Sequence, residues 1–148
     1  MSFESSLNEV DKAFARQAGQ ILSDNPVAAA SYSRLQRQGT ELRLVNDPDM
    51  PDMALFEGQY NRVTVNMLRH SSADEVASSV VHEATHQNRY FRDIPLGTQY
   101  EEYLSFRNEF LFEAGKRPTL IERQSIWDKV QQWYPQLPQG KSPFGGAP

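Results

Sequence analysis

Residues 72–91, "SADEVASSVVHEATHQNRYF", predict a helix around which the other elements of the fold can be placed. Ser72 followed three residues later by Glu75 is a capping-box signature, which predicts that a helix begins at Ser72 or Ala73. Only three histidines occur in the chain, and His82 and His86 are two of them. The apolar side chains of the helix share one arc of roughly 100°, which should face the core: Ala73, Val76, Ala77, Val80, Ala84 and Phe91. Both histidines fall outside that arc, so we expect them to open onto a cleft.

The spacing of the two histidines indicates a metal site. Four residues turn an α-helix by about 400°, so His82 and His86 project from one face about one turn apart and can reach a single Zn²⁺. Glu83 is rotated by about 100° from His82, so we expect it to act as a general base beside the metal and not as a ligand. These residues form the pattern H-E-x-x-H. The alternative is that they occur by chance on a solvated helix face.

Composition limits the kind of protein and the kind of metal site. The chain has 148 residues, of which 39% are hydrophobic, as expected for one globular domain. It contains no cysteine, so its metal ligands must be histidines and carboxylates. The formal net charge is −4 and there is no Lys/Arg stripe, so nucleic acid is not an expected partner.

The location of the protein is only weakly indicated by its sequence. The first residues lack the basic start and apolar stretch of a secretory signal, and no run is long enough to cross a membrane. We therefore expect no membrane partner. Residence in the cytoplasm and export by a route without a cleavable signal peptide both stay open.

The patterns around the motif predict an α+β fold. Two amphipathic helices come first, with the second capped at Asp24 or Asn25 and followed by Gly39. A strand at 40–46 and a hairpin of 54–58 with 62–68 come next. After the motif, a helix stopped by Gly115 and a last helix starting at Pro118 complete a single domain over residues 1–134. Residues 135–148 are rich in Pro and Gly, which predicts a frayed tail.

A catalytic zinc site needs a third protein ligand, and the residues after His86 narrow the choice. The metzincin pattern requires Gly and His where this chain has Arg89 and Arg92. The aspzincin pattern G-T-x-D is matched by Gly97 and Thr98, but Tyr100 occupies the place of the aspartate. Asp93, in the loop behind the helix, is a substitute ligand to consider.

The pattern E-x-x-S at Glu102 and Ser105 is similar to that of the gluzincins, in which a following helix supplies a glutamate ligand. Over about residues 40 to 113 the chain thus resembles a compact gluzincin-type zincin, like small bacterial metallopeptidase domains and secreted effectors. The resemblance implies that Zn²⁺ is held by His82, His86 and Glu102. Glu101 and Glu109 are alternative third ligands, and Glu109 is also a candidate for orienting a histidine.

The resemblance also implies a function. We expect hydrolysis of peptide bonds in a protein or peptide substrate, with Glu83 taking a proton from a zinc-bound water. The strand at 61–67 would be the edge strand that pairs with the substrate. Candidate oxyanion donors are His70, Tyr60, Tyr100 and Tyr103.

Two rival functions and a partner remain open at this point. One rival is a catalytically silent zincin-like module that binds a peptide or protein. The other is a hydrolase of a non-peptide or cell-wall amide. The small size of the chain fits a dedicated target and, by the same resemblance, a delivered effector or toxin with a protective inhibitor protein.

Overall fold

The computed structural model describes residues 2–4 and 6–145. Within them the fold is α+β, as predicted, with five α-helices and one small mixed sheet of four strands. The elements in chain order are β1 (Ser2–Phe3), α1 (Glu9–Asp24), α2 (Pro26–Arg37), β2 (Glu41–Val45), β3 (Ala54–Glu57), β4 (Arg62–Asn66), α3 (Ala73–Phe91), α4 (Gln99–Ala114) and α5 (Leu120–Trp133). The first helix pair, the hairpin and the helix with the motif all lie where the sequence patterns predict them.

The order of strands in the sheet is β1-β2-β4-β3. The prediction that residues 61–67 form an edge strand is therefore wrong, because β4 pairs in parallel with β2 on one side and antiparallel with β3 on the other. Val63 and Val65 on one face of β4 are fully buried, and Thr64 and Asn66 on the other face are buried too. The exposed edge nearest the motif helix is β3, the other strand of the same hairpin.

Helix α3 lies at the centre of the molecule and packs against α1, α2, α4 and the sheet. The predicted core-facing residues of its first three turns are all buried, but Phe91 is 40% exposed. Val81, which lies outside the predicted arc, is fully buried. Val81 belongs to the main core, and α4 covers another face of α3, so every side chain from residue 76 to residue 87 is buried.

The hydroxyl of Ser72 accepts a hydrogen bond from the Glu75 N–H, as the capping signature predicts. A capping box also requires the Glu75 carboxylate to accept from the N–H of Ser72. Here the carboxylate accepts instead from the N–H of Ser71. The start of the helix is nevertheless the predicted one, at Ala73.

Helices α4 and α5 form a second, smaller core with the carboxyl-terminal segment. Residues 135–148 were expected to fray, and 146–148 lie outside the described residues. In the described part, the carbonyls of Pro138 and Gln139 accept hydrogen bonds from the N–H groups of Gln99 and Tyr100. Those N–H groups belong to the first turn of α4 and have no partner within the helix. The segment therefore completes the helix start.

Across the described part of the chain, no helix has the length and apolarity needed to cross a membrane.

Candidate metal centre

The site forms where α3 and α4 pack side by side in opposite directions. His82, Glu83 and His86 come from α3, and Glu102 comes from the first turns of α4. The turn between the helices contains two residues with left-handed backbone, Asp93 with φ of 54° and Gly97 with φ of 90°. This reversal returns the chain along α3, so that a carboxylate on α4 meets the two histidines.

One carboxylate lies between the two imidazole rings. The Oε2 atom of Glu102 lies 3.1 Å from His82 Nε2, and its Oε1 atom lies 3.3 Å from His86 Nε2. Potential ligand atoms of the three residues all lie within 4.8 Å of one another. Each histidine is 9% exposed, so the rings are more enclosed than a helix face open to solvent, although both line a pocket of about 270 Å³.

The opposite nitrogen of each ring faces a second carboxylate. Glu109 Oε2 lies 3.0 Å from His82 Nδ1, and Glu101 Oε1 lies 3.4 Å from His86 Nδ1. A carboxylate only accepts, so each Nδ1 carries the hydrogen and donates it. These contacts hold both rings with Nε2 directed at the same point, which is the role that a carboxylate behind a metal-binding histidine has.

The two outer carboxylates are themselves held in place. Glu101 Oε1 accepts a hydrogen bond of 2.8 Å from the Gly97 N–H, and Glu101 Oε2 lies 3.7 Å from the Arg89 Nε. On the other side, the Ser78 hydroxyl lies 3.1 Å from Glu109 Oε1 and 2.8 Å from Glu113 Oε1. Glu101 and Glu109 therefore occupy positions behind the histidines, while Glu102 lies between them.

The donor set suits a zinc ion. Two imidazole nitrogens and one carboxylate are ligands that catalytic zinc sites use, and they leave a fourth position open. Four carboxylates surround the two histidines, with Glu83 and Glu101 buried and Glu102 and Glu109 partly buried. This arrangement would be costly unless a cation or protons compensated the charge. His82, His86 and Glu102 therefore fit a divalent metal, with Glu101 and Glu109 as supports.

The charges of the site are strongly coupled in the absence of a cation. Burial lowers the pKa of His82, but hydrogen bonds to Glu102 and Glu109 outweigh burial and raise it to about 9. Burial also opposes charge on His86, yet Glu101 and Glu102 raise its pKa to about 10. Burial raises the pKa of Glu102, but the two histidines lower it to about 2. Protonated histidines thus balance the negative charge of the carboxylates, which a bound cation could balance instead.

Glu83 lies beside this group and is 8% exposed. Burial raises the pKa of its carboxyl, while the two histidines and the backbone N–H of Phe56 act in the opposite direction. Glu83 makes no close ion pair within the described residues. A carboxylate with a raised pKa, next to an open ligand position, is suited to accepting and returning a proton.

The site opens into a groove between β3 and the end of α5. A pocket of about 270 Å³ is lined by Leu55, Phe56, the two histidines and Tyr134, among others. It shares His82, Glu83 and Tyr134 with a pocket of about 180 Å³, which in turn shares Phe106 and Glu109 with a third of about 260 Å³. We refer to these three pockets, linked by shared lining residues, as the groove, whose part nearest the histidines lies beside the open sheet edge at β3.

Tyr134 is the site residue that sequence reasoning missed, since its spacing with the tryptophans of α5 was interpreted as packing. Its ring lines both pockets next to Glu83. Burial and the nearby Glu102 and Glu83 carboxylates raise the pKa of its hydroxyl, which stays protonated and able to donate. Gln99 fixes the backbone there by donating to the Tyr134 carbonyl at 3.0 Å.

None of the four predicted oxyanion donors lines the pockets next to the histidines. Tyr103 is 1% exposed in the second core, and Tyr100 stacks on it. Tyr60 is 62% exposed. His70 is held between the Asn66 carbonyl and the Ser79 hydroxyl. Asp93 is exposed in the turn after α3 and does not join the group of ligand atoms.

Comparison of the chain with protein-family models, with curated proteins and with solved structures finds no significant match.

Proposed function

We propose that the chain is a zinc-dependent metallopeptidase of the gluzincin type. The observation that supports this most is the convergence of His82 Nε2 and His86 Nε2 on the two oxygens of Glu102, at 3.1 and 3.3 Å, with Glu83 beside them. A structural metal site needs no such unpaired, buried general base. The placement of Glu83 therefore favours catalysis over a purely structural metal.

The chemistry assigned to each residue follows from its position. His82, His86 and Glu102 would hold the zinc ion, which when bound supplies Lewis-acid activation of a water and of the scissile carbonyl. Glu83 takes a proton from the attacking water and delivers it to the leaving amine. Tyr134 donates a hydrogen bond to the carbonyl oxygen as negative charge develops there.

An extended polypeptide is the substrate that the groove favours. Strand β3 is the edge of the sheet, and an edge strand offers backbone groups that can pair with an added strand. Leu55 of β3 is 42% exposed beside the groove. A small non-peptide amide would use neither the strand nor the length of the groove, so we place cell-wall amide hydrolysis second.

The zincin-like fold, the effector or toxin role and the protective inhibitor protein are parts of the same proposal. The enclosed site, which is reached through the groove beside β3, fits a dedicated target. A protective inhibitor protein would block this groove and so prevent the peptidase from acting in the cell that produces it.

The test is a comparison of the wild type with Glu83→Gln. Metal analysis of the purified protein should give about one zinc per chain in both, because this substitution leaves the three ligands unchanged. Peptide-library cleavage followed by mass spectrometry should show defined products for the wild type only. Glu9→Gln, an exposed change on α1, is the matched control and should keep both zinc and activity.

Three outcomes would overturn the proposal. A wild-type protein that takes up no zinc after metal is added back has no metal centre. Full turnover by Glu83→Gln would remove the assigned general base, whereas bound zinc without turnover in any variant would favour the silent binding module.

A further inference from the structure

A second pocket lies on a different part of α4 and has a different chemistry. It has a volume of about 560 Å³ and is lined by Arg107, Asn108, Leu111, Arg117, Pro118 and Arg123. It shares no lining residue with the pockets of the groove. Half of the lining residues are arginines and none is acidic, in a chain whose net charge is −4.

The architecture brings these arginines together from three segments. Arg107 lies on α4, with Leu111 one turn further along the same face. Arg117 follows Gly115, whose left-handed backbone with φ of 70° ends α4. Arg123 lies in the second turn of α5. The turn between the helices therefore places three arginines, from α4, the turn and α5, around one pocket.

Within the described residues the three arginines have no anionic partner, although the Arg107 guanidinium lies over the Tyr103 ring at 5.8 Å from its centre. Among residues 2–4 and 6–145, no carboxylate oxygen lies within 4.0 Å of Arg107, Arg117 or Arg123. The nearest acid along the chain, Glu122, is engaged as the helix cap and accepts from the Thr119 N–H at 3.0 Å. The Arg123 Nε is buried and without a hydrogen-bond partner in the described structure.

The buried Nε of Arg123, left without a partner, is unfavourable unless an anion compensates it. We propose that Arg107, Arg117 and Arg123 bind a phosphate group, either free or as part of a small phosphorylated molecule. Guanidinium forks match phosphate oxygens in pairs, and three of them offer more donors than the two oxygens of one carboxylate can accept. A volume of about 560 Å³ lies within the range of small-molecule sites, about 300 to 1,000 Å³.

A nucleic-acid strand is the less suitable occupant. Binding along a nucleic-acid backbone requires a basic stripe or groove that follows successive phosphates. Here Arg107, Arg117 and Arg123 line one pocket at the junction of α4 and α5 and form no such stripe. The pocket is also independent of the proposed peptidase activity, because neither the zinc ligands nor Glu83 line it.

The test is a calorimetric titration of the full chain at low ionic strength with three probes, which are inorganic phosphate, phosphoserine and acetate. We expect both phosphate probes to bind and acetate to bind much more weakly. Arg123→Gln and Arg117→Gln should each weaken phosphate binding about tenfold or more, because each removes charge-assisted hydrogen bonds. Arg16→Gln, the same change at an exposed site on α1, should leave binding unchanged.

Arg117 is exposed, so its variant keeps the test valid if Arg123→Gln fails to fold. A second readout needs no variant, because the Nε–H signal of Arg123 in the wild-type NMR spectrum should shift when phosphate is added. Tighter binding of phosphoserine than of inorganic phosphate would identify a phosphorylated molecule as the ligand, and the reverse order would identify the free ion. Absence of phosphate binding, equal binding of acetate, or phosphate binding unaffected by both arginine variants would overturn the proposal.

Discussion

Glu102 is the residue on which the two site histidines converge, and it was expected there because the pattern E-x-x-S at Glu102 and Ser105 resembles that of the gluzincins. The two histidines and Glu83 were also correctly placed on one helix, because helical geometry over four residues leaves little freedom. Tyr134 could not be found in this way. It lies about fifty residues beyond the motif, and its place beside Glu83 depends on how α5 packs, which no local pattern encodes.

At the same scale, Tyr134 is the residue whose removal should affect catalysis without affecting the metal. Tyr134→Phe removes one hydrogen-bond donor and keeps the ring that lines the groove. We expect kcat to fall about a hundredfold, the usual cost of losing one oxyanion donor, with KM and zinc content little changed. Steady-state kinetics on a peptide identified for the wild type is the measurement.

Tyr100→Phe is the matched control for that prediction, since Tyr100 lies in the second core and stacks on Tyr103. It should lose stability more than activity. Equal kcat values for the wild type and Tyr134→Phe would remove Tyr134 from the mechanism while leaving the metal site unaffected.

At the scale of elements, the ends of the helices were the easiest features to predict, because they depend on local chemistry. Asn25 accepts from the N–H groups of Val27 and Ala28 at the start of α2, where the sequence indicated a cap. The start of α5 was predicted two residues too early, at Pro118, whereas Thr119 and Glu122 form a capping box and the helix begins at Leu120. That signal was present in the sequence.

The edge strand was the element predicted wrongly, and the reason is physical. The two strands of the hairpin 54–66 pair with each other, and either of them could pair with the next strand of the sheet. The sequence pattern of the hairpin does not show which strand remains at the edge. What decides is that β4 buries both of its faces, including Thr64 and Asn66, whose side chains are polar. Polar residues on a buried face do not produce an apolar signal in the sequence.

Helix α4 carries three glutamates that face the histidines, and their positions along the helix predict an order of effects on zinc binding. Glu102→Gln should weaken zinc binding the most, because it removes a charged ligand. Glu101→Gln and Glu109→Gln should each weaken it about 10- to 100-fold, the usual effect of losing a carboxylate behind a histidine. Competition with a fluorescent chelator measures all three affinities.

Glu9→Gln on α1 controls for the loss of one negative charge, since its side chain is 85% exposed. If Glu101→Gln lost as much zinc affinity as Glu102→Gln, or more, then Glu101 would be the third ligand and Glu102 the support. The distances favour Glu102, which contacts Nε2 of both rings, over Glu101, which contacts Nδ1 of one.

At the scale of the whole molecule, the α+β class followed from the order of the elements, but the packing around α3 did not. The arc of apolar side chains on α3 identified the face that packs against α1 and α2. It could not show that α4 covers another face, because α4 presents Glu102, Ser105 and Glu109 there and not an apolar stripe. The burial of the histidines and the docking of residues 138–144 on α4 both follow from that packing.

His70 connects the sheet to α3 and gives the molecule a distinct response to acid. Its Nδ1–H donates to the Asn66 carbonyl at 2.7 Å, and its Nε2 accepts from the Ser79 hydroxyl at 2.8 Å. Burial lowers the pKa of His70, only partly opposed by the Asn66 carbonyl and by Glu75. A histidine whose pKa is lowered by folding takes up its proton more readily in the unfolded chain, so its contribution to stability declines as pH falls below about 6.5.

Thermal unfolding of chelator-treated wild type and His70→Gln, from about pH 7.5 down to about pH 5, isolates this effect because the range spans the ordinary pKa of histidine. The wild type should be the more stable protein at the upper end, and the difference in Tm should shrink as the pH falls, because the variant lacks the titrating group. The chelator treatment matters, since acid release of any metal bound at the proposed site would otherwise mask the contribution of His70. A difference in Tm that stays constant across the range would mean that folding leaves the pKa of His70 unchanged, and that its two hydrogen bonds do not hold the neutral ring.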